Sequence, residues 1–416
     1  MAGQLQLSFV TYKKGSYIVV EGKQNADRFF IIHQGRVRIS KDTEVVAEEG
    51  GNTLGPGDFF GVVSTMSSHS HIETAQALTD IVLISVLKEQ YGDLIQKNTP
   101  VAMKIILQFS KRLRYLDESL SRITLKSSAE ADPSHLFHVA EYYVRHSQYN
   151  QAYYAYTKYL KYCPVGTNVS SAKDRMMKIA LYVKGVKTEF GSQELNRVYP
   201  KNSMLFAEGE PGDELFIIQK GSVTIAKIVD NKEVLLAVLK AGDIFGEMAL
   251  LEAKPRVANA VAYEECQVMA VNRANFEHMI KNQPQLIAKL TTLLAERIWF
   301  IYKQLANTLI NDPLGRMYDA LLIQLEKNRI PLDSNSAYTF DFGTKELANM
   351  VGLSQKDANL LLRRMLENRK ILINGDKIHA TSVTEIIKQT EFFRKMQKIE
   401  NARKESRSNL STSPIV

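Results

Sequence analysis

Cysteine is scarce in this sequence: Cys163 and Cys266 are the only two among 416 residues. Two thiols cannot build a disulfide framework and fit a reducing compartment. They also exclude a cysteine-ligated iron–sulfur cluster within one chain, which needs about four thiolates. Long apolar runs are missing as well. No stretch approaches the roughly 20 residues of a membrane helix. The start MAGQLQLSFV has no basic opening, no apolar core and no small-residue cleavage site, so no secretory signal is expected. A cytoplasmic location and no membrane partner follow as expectations. The sequence also lacks a P-loop, a nucleophile elbow and zinc-ligand spacing, so neither an enzyme nor a metal protein is expected.

What is present reads as globular: 45% hydrophobic and 24% charged residues. The length suggests about two to four domains. A net charge of +8 leans toward a polyanionic partner without locating a site for it.

An internal repeat organises the chain. Residues 17–22 (YIVVEG) and 204–209 (MLFAEG) each end a short strand in Glu-Gly. Each is followed by an acidic turn and an apolar strand closed by glycine, FFIIHQG and LFIIQKG. Each copy ends in Gly-Asp, an apolar pair and Gly, GDFFG at 57–61 and GDIFG at 242–246. Short alternating strands with glycine at the corners predict two antiparallel β-rolls. A helical stretch follows each roll, at 100–125 and 284–310. In the second, Leu290, Leu294, Ile301 and Leu305 form one apolar stripe that could pair with a twin. Between the rolls, 136–164 has the small and aromatic positions of one tetratricopeptide repeat: Leu136, Val139, Ala140, Tyr143, Tyr149, Ala152, Tyr156 and Pro164. One repeat cannot bury its own face, so the helix predicted at 170–184 or a neighbouring domain must cap it. Such an insert serves either as a spacer or as a docking surface for a protein partner.

The densest chemistry lies at 245–262, FGEMALLEAKPRVANAVA. Arg256 can fork onto phosphate oxygens. Gly246 lets the backbone approach a ligand, and a short helix from Glu247 aims N–H groups at an anion. This segment resembles the phosphate-binding cassette of cyclic-nucleotide-binding domains, in particular those of the cyclic-AMP receptor protein/FNR (Crp/Fnr) family of transcription regulators. The resemblance implies that Gly246, Glu247, Met248, Ala249, Arg256 and Val257 hold a cyclic nucleotide, with Glu247 accepting from the ribose hydroxyl. Val257 departs from the Ser or Thr usual there. A gapless match from Pro284 puts Ile301 and Tyr302 at the base-reading position, where Tyr302 could stack on a base or hydrogen-bond to it. The ligand implied first is cyclic AMP, with cyclic GMP or a cyclic dinucleotide as alternatives. In the first roll Gly61 is kept, but Val62 stands for Glu247 and His71 for Arg256, so that roll reads as a degenerate, structural copy.

Residues 312–390 resemble the winged helix-turn-helix of the same family. Thr344 reads as the N-cap of its second helix, Gly352 closes that helix, and Asn374-Gly375 marks a hairpin wing. The third helix would enter the major groove of double-stranded DNA. Gln355, Lys356 and Asn359 are the expected base readers. Thr344, Ser354, Arg363, Arg364, Arg369 and Lys377 are expected to contact DNA beside them, the basic ones at phosphates. Leu360 occupies a position that the family commonly fills with arginine.

The expected architecture is α+β, with two β-roll (jelly-roll) cyclic-nucleotide-binding-like domains, a helical tetratricopeptide-like insert and a winged helix-turn-helix. Its segments are 5–127 (degenerate roll and helix), 133–185 (insert), 195–311 (second roll and dimerisation helix), 312–390 (DNA reader) and 391–416 (a basic tail, a frayed helix and then disorder). The expected function is a homodimeric DNA-binding transcription regulator controlled by a cyclic nucleotide in the second roll. The rival reading is a cyclic-nucleotide-binding regulatory or scaffold subunit, kinase-regulatory-like, whose winged helix makes protein contacts. A ligand-free constitutive DNA binder is the third.

Overall fold

The computed structural model describes residues 8–24, 26–41, 52–125, 132–185, 187–191, 194–229, 231–333, 335–353 and 355–411. The first roll comprises β1 (Ser8–Tyr12), β2 (Tyr17–Val19), β3 (Arg28–Gln34), β4 (Val37–Ser40), β5 (Thr53–Leu54), β6 (Phe59–Phe60), helix α1 (Val62–Ser67), β7 (Thr74–Ala77) and β8 (Ile81–Leu87). Two helices follow, α2 (Tyr91–Lys97) and the 27-residue α3 (Thr99–Leu125). The insert is α4 (His135–Arg145), α5 (Tyr149–Tyr162) and α6 (Val169–Ile179). The second roll comprises β9 (Asn196–Tyr199), β10 (Met204–Phe206), β11 (Glu214–Lys220), β12 (Ser222–Val229), β13 (Lys232–Lys240), β14 (Ile244–Phe245), α7 (Glu247–Glu252), β15 (Asn259–Ala262) and β16 (Cys266–Asn272). It is followed by α8 (Arg273–Asn282) and α9 (Pro284–Thr308).

The two rolls share one topology. Their sheets run β1-β8-β3-β6 with β2-β7-β4-β5, and β9-β16-β11-β14 with β10-β15-β12-β13, the same order element for element. Alternation explains why these segments are strands. In β4 Val37 and Ile39 turn inward while Arg38 and Ser40 face out, and in β9 Arg197 and Tyr199 are the buried pair. Each roll has its own apolar centre, around Phe30, Ile32, Val37 and Leu83 in the first and Phe206, Phe216, Phe245 and Val268 in the second.

The chain divides into two compact units, residues 1–8 with 86–295 and residues 9–85 with 296–416. The first unit holds the second roll and the insert together with α3, which in sequence follows the first roll. The second unit holds most of the first roll with the last turns of α9, which in sequence follow the second roll. Each roll is thus accompanied by the long helix of the other. On α9, Leu290, Leu294 and Leu305 are almost fully buried and Ile301 half-buried.

In the insert Ala140 and Ala152 are fully buried, letting α4 and α5 approach, and Tyr143, Tyr156 and Tyr159 fill the space between them. That core continues into Met204 and Ala207 of the second roll, so the insert packs as part of the roll and is more than a tether.

The C-terminal region, in the second unit, runs α10 (Pro313–Lys327), β17 (Tyr338–Thr339), α11 (Thr344–Met350), α12 (Gln355–Glu367), β18 (Ile371–Asn374), β19 (Lys377–Ala380) and α13 (Val383–Ser411). Two expectations are corrected here. Thr344 is the first helical residue of α11, not its cap. The cap is Gly343, whose N–H is accepted by Glu346 at 3.1 Å and whose missing Cβ leaves room for the Asp376 carbonyl of the hairpin. The segment from 391 does not begin as a frayed end: α13 runs through it to Ser411, and residues 412–416, where disorder was expected, lie outside the described residues. Phe393 packs on Tyr318 and Gly315, and Arg394 reaches the buried Asp319 carboxylate at 2.5 Å, which docks this helix on α10.

Candidate functional site

The cassette of the second roll starts at Gly246, which caps α7 in a left-handed conformation (φ 75°), and α7 ends at Ala253, also left-handed (φ 53°). The first roll does the same at Gly61 (φ 79°) and Ser68 (φ 54°) around α1. Both pairs lie 185 positions apart (61 and 246, 68 and 253), so the backbone of the cassette is conserved between the copies residue for residue.

Arg256 is the centre of the second cassette. It is 5% exposed. Its main chain is strapped to the β10–β11 loop, with Arg256 N–H donating to Glu210 O at 2.8 Å and Gly209 N–H donating to Arg256 O at 2.9 Å. The guanidinium lies over the Phe206 ring, 4.3 Å from its centroid, and Nη1 donates to Gly246 O at 2.6 Å. Side chains on Gly212 or Gly246 would collide with it. Its Nε–H is buried and has no hydrogen-bond partner among the described residues. Burial pulls the Arg256 pKa down, and the nearby Glu210 carboxylate opposes that most. A buried cation with an unspent donor accepts an anion well.

Of the other expected ligand residues, Gly246 is in contact with the Arg256 guanidinium. Glu247, Met248 and Ala249 on α7 are buried, as is Ala258, and Val257 is half-buried. Tyr302 belongs to the second unit, where the Lys41 ammonium stands 5.3 Å from its ring centroid. The helix at the second cassette is α3: Arg114 Nε donates to Glu252 at 2.9 Å, Nη1 donates to Pro255 O at 3.2 Å, and Ser110 Oγ donates to Glu252 at 2.7 Å. Sequence reading missed Arg114 and Glu210. The run AEGEPGDE at 207–214 was the only signal for the latter.

The first cassette keeps the strap but not the cation. His71 N–H donates to Lys23 O at 3.0 Å and Gly22 N–H to His71 O at 2.8 Å. There Trp299 of α9 stacks on His69 and donates from Nε1 to Ser70 O at 3.3 Å. Trp299 and Arg114 occupy corresponding positions, again 185 apart, and so do the carbonyls they reach, Ser70 and Pro255.

In the C-terminal region the Asn359, Arg363, Arg364 and Arg369 side chains are exposed, Leu360 among them at 65%. Gly352 closes α11 with φ 66°, and Gly375 turns the hairpin. Lys377 is exposed and pairs with Asp341 at 3.1 Å, while Thr344 is half-buried. Gln355 and Lys356 open α12; their side chains and Ser354 lie outside the described residues. Among the described residues no helix is long and apolar enough to cross a membrane.

Comparison with known families gives the class of domain. The cyclic nucleotide-binding domain matches this chain twice, at residues 9–98 and 196–283. Among full proteins, the chain is homologous to CRP-like regulators. It is 29% identical over 181 residues to the CRP-like cAMP-activated global transcriptional regulator of Mycobacterium tuberculosis, covering 43% of this chain and 81% of that protein. It is 29% identical over 182 residues to the cAMP-activated global transcriptional regulator CRP of Pasteurella multocida, covering 43% and 87%. The crystal structure of the Thermus thermophilus catabolite activator protein matches with 25% identity, 48% of this chain, 90% of that one and a TM-score of 0.28, too low to bear on the argument.

Proposed function

We propose that this chain is a DNA-binding transcription regulator of Crp/Fnr type, controlled by a cyclic nucleotide held in its second roll. The observation that carries the reading is Arg256: a guanidinium 5% exposed, with a buried Nε–H that has no partner among the described residues. A cyclic phosphodiester supplies the one negative charge and the acceptor oxygens that this donor lacks. Glu247 is the acceptor for the ribose hydroxyl, and Gly246, Met248, Ala249 and Val257 bound the ligand. Cyclic AMP heads the candidates because the relatives are described as cAMP-activated; cyclic GMP and a cyclic dinucleotide are the other probes. The first roll, with His71 in place of Arg256, takes no nucleotide.

The helix–turn–helix and hairpin of residues 312–390 act as the reader, α12 entering the major groove of double-stranded DNA. Gln355, Lys356 and Asn359 face base edges, and Arg363, Arg364 and Lys377 face phosphates, with Thr344 and Ser354 beside them. The protein works in the cytoplasm, where its DNA is, and catalyses no reaction. Calorimetry with the three nucleotides, against Arg256→Ala, tests the pocket; a mobility shift with and without the bound nucleotide tests the control. Equal affinity in wild type and Arg256→Ala, or DNA binding blind to every nucleotide, defeats the reading. Capture of a kinase-like partner without DNA retention would favour the regulatory-subunit alternative instead.

A further inference from the structure

Glu210 is a buried carboxylate to which the phosphate reading gives no role. It is 5% exposed. Ala207 N–H donates to its Oε2 at 3.0 Å, and the Lys158 ammonium stands 3.0 Å from its Oε1. The Tyr154 hydroxyl lies 3.2 and 3.0 Å from the two carboxylate oxygens and 3.0 Å from Leu205 O. Tyr154 and Lys158 are one turn apart on α5, the central helix of the insert. Through its main chain Glu210 is also strapped to Arg256, and its carboxylate charge acts on that guanidinium.

A carboxylate beside a guanidinium competes with phosphate for the same donors. Both oxygens of Glu210 are already engaged by Lys158, Tyr154 and Ala207, and the Arg256 Nε–H is left without a partner. Without Lys158, the least costly relief for the buried carboxylate is to turn to Arg256.

We propose that α5 sets the anion affinity of the second roll: Lys158 and Tyr154 are positioning residues that hold the Glu210 carboxylate off Arg256, so that the guanidinium stays open to a phosphodiester. This rests on the phosphate reading above and makes the insert a second input to that site. A displacement of α5 alters nucleotide affinity without touching the nucleotide.

The test uses the full chain, with cyclic AMP, cyclic GMP and cyclic di-GMP as anionic probes and adenosine and guanosine as uncharged ones. Lys158→Met is expected to weaken the anionic probe that wild type binds about tenfold and to leave nucleoside binding unchanged. Tyr154→Phe has the same sign and a smaller size, Lys158→Arg restores affinity, and Lys173→Met, exposed on α6, changes nothing. Unchanged affinity in Lys158→Met, or an equal loss for nucleoside and nucleotide, overturns the proposal. A second readout needs no ligand: the Arg256 Nε–H resonance, assigned by Arg256→Lys, shifts in Lys158→Met but not in Lys173→Met. An unmoved resonance overturns the coupling even if wild type binds none of the probes, whereas absence of binding with a moved resonance defeats only the phosphate reading.

Discussion

The indole of Trp299 lies stacked on the imidazole of His69, 4.0 Å between ring centroids and 19° from parallel. Trp299 is the only tryptophan of the chain and is 1% exposed. Trp299→Ala should lower the unfolding free energy of the second unit by about 3–5 kcal/mol, the usual cost of emptying an aromatic site. Denaturant titration followed by circular dichroism measures it. Wild-type tryptophan emission should be blue-shifted relative to the unfolded chain. A loss below about 0.5 kcal/mol, within the range of ordinary surface substitutions, would show that the indole is not packed as described.

The Arg114–Glu252 pair behaves differently, because both side chains are buried, 7% and 3% exposed. Removing Arg114 leaves the Glu252 carboxylate only Ser110 and the more distant Lys254, at 3.8 Å. Arg114→Met is expected to cost about 3–5 kcal/mol, and Arg114→Met with Glu252→Met to recover much of that, since two apolar side chains leave no orphaned charge. A double-mutant cycle in urea measures the coupling; additive losses would show that the pair does not interact.

Thiol chemistry separates the two cysteines. Burial pushes the Cys266 thiol up to about 11, with Glu264 and Glu265 adding to the effect. At pH 8 only about one Cys266 in a thousand is thiolate. Cys163, partly exposed, is raised by burial as well but stays accessible. Ellman's reagent at pH 8 should therefore label Cys163 first, and Cys266 only on unfolding. The sign for stability follows: the folded state holds the Cys266 proton more tightly, so this contribution is complete below the unfolded value near 9 and fades as pH rises toward 11. Rapid labelling of Cys266 in Cys163→Ser at pH 8 would contradict its burial.

If α12 reads DNA as proposed, Arg363→Ala and Arg364→Ala should weaken DNA binding on all sequences alike and reduce the salt slope by about one each. Asn359→Ala should instead relax preference at one base pair, by about 1–3 kcal/mol. Fluorescence anisotropy over a salt series and a set of single-base variants distinguishes the two behaviours. A sequence-dependent effect of Arg363→Ala would reverse the assignment.

Much of this molecule could be read from its residues. The paired Glu-Gly and Gly-Asp corners located both rolls, because turns with positive φ accept few residue types. Arg256 stood out for another reason, the forked guanidinium it places in a segment that resembles a phosphate-binding cassette. Apolar spacing marked the stretches holding α3 and α9 as helices with a face to bury. It could not say against what, since a stripe of leucines fits any apolar surface. Glu210 was invisible because its partners, Tyr154 and Lys158, lie more than fifty positions away. The length of α13 was missed because its charged exposed face conceals the few contacts, Phe393 and Arg394, that anchor it.

The exchange of long helices bears on how the polypeptide can be dissected. A fragment beginning near residue 195 contains every strand of the second roll, yet it discards α3 and leaves Glu252 without Arg114 and Ser110. A fragment ending near 125 keeps every strand of the first roll but loses the indole that covers His69. The boundaries at which the repeat is most visible are therefore the worst places to cut, and expression of either half alone should yield protein prone to aggregate.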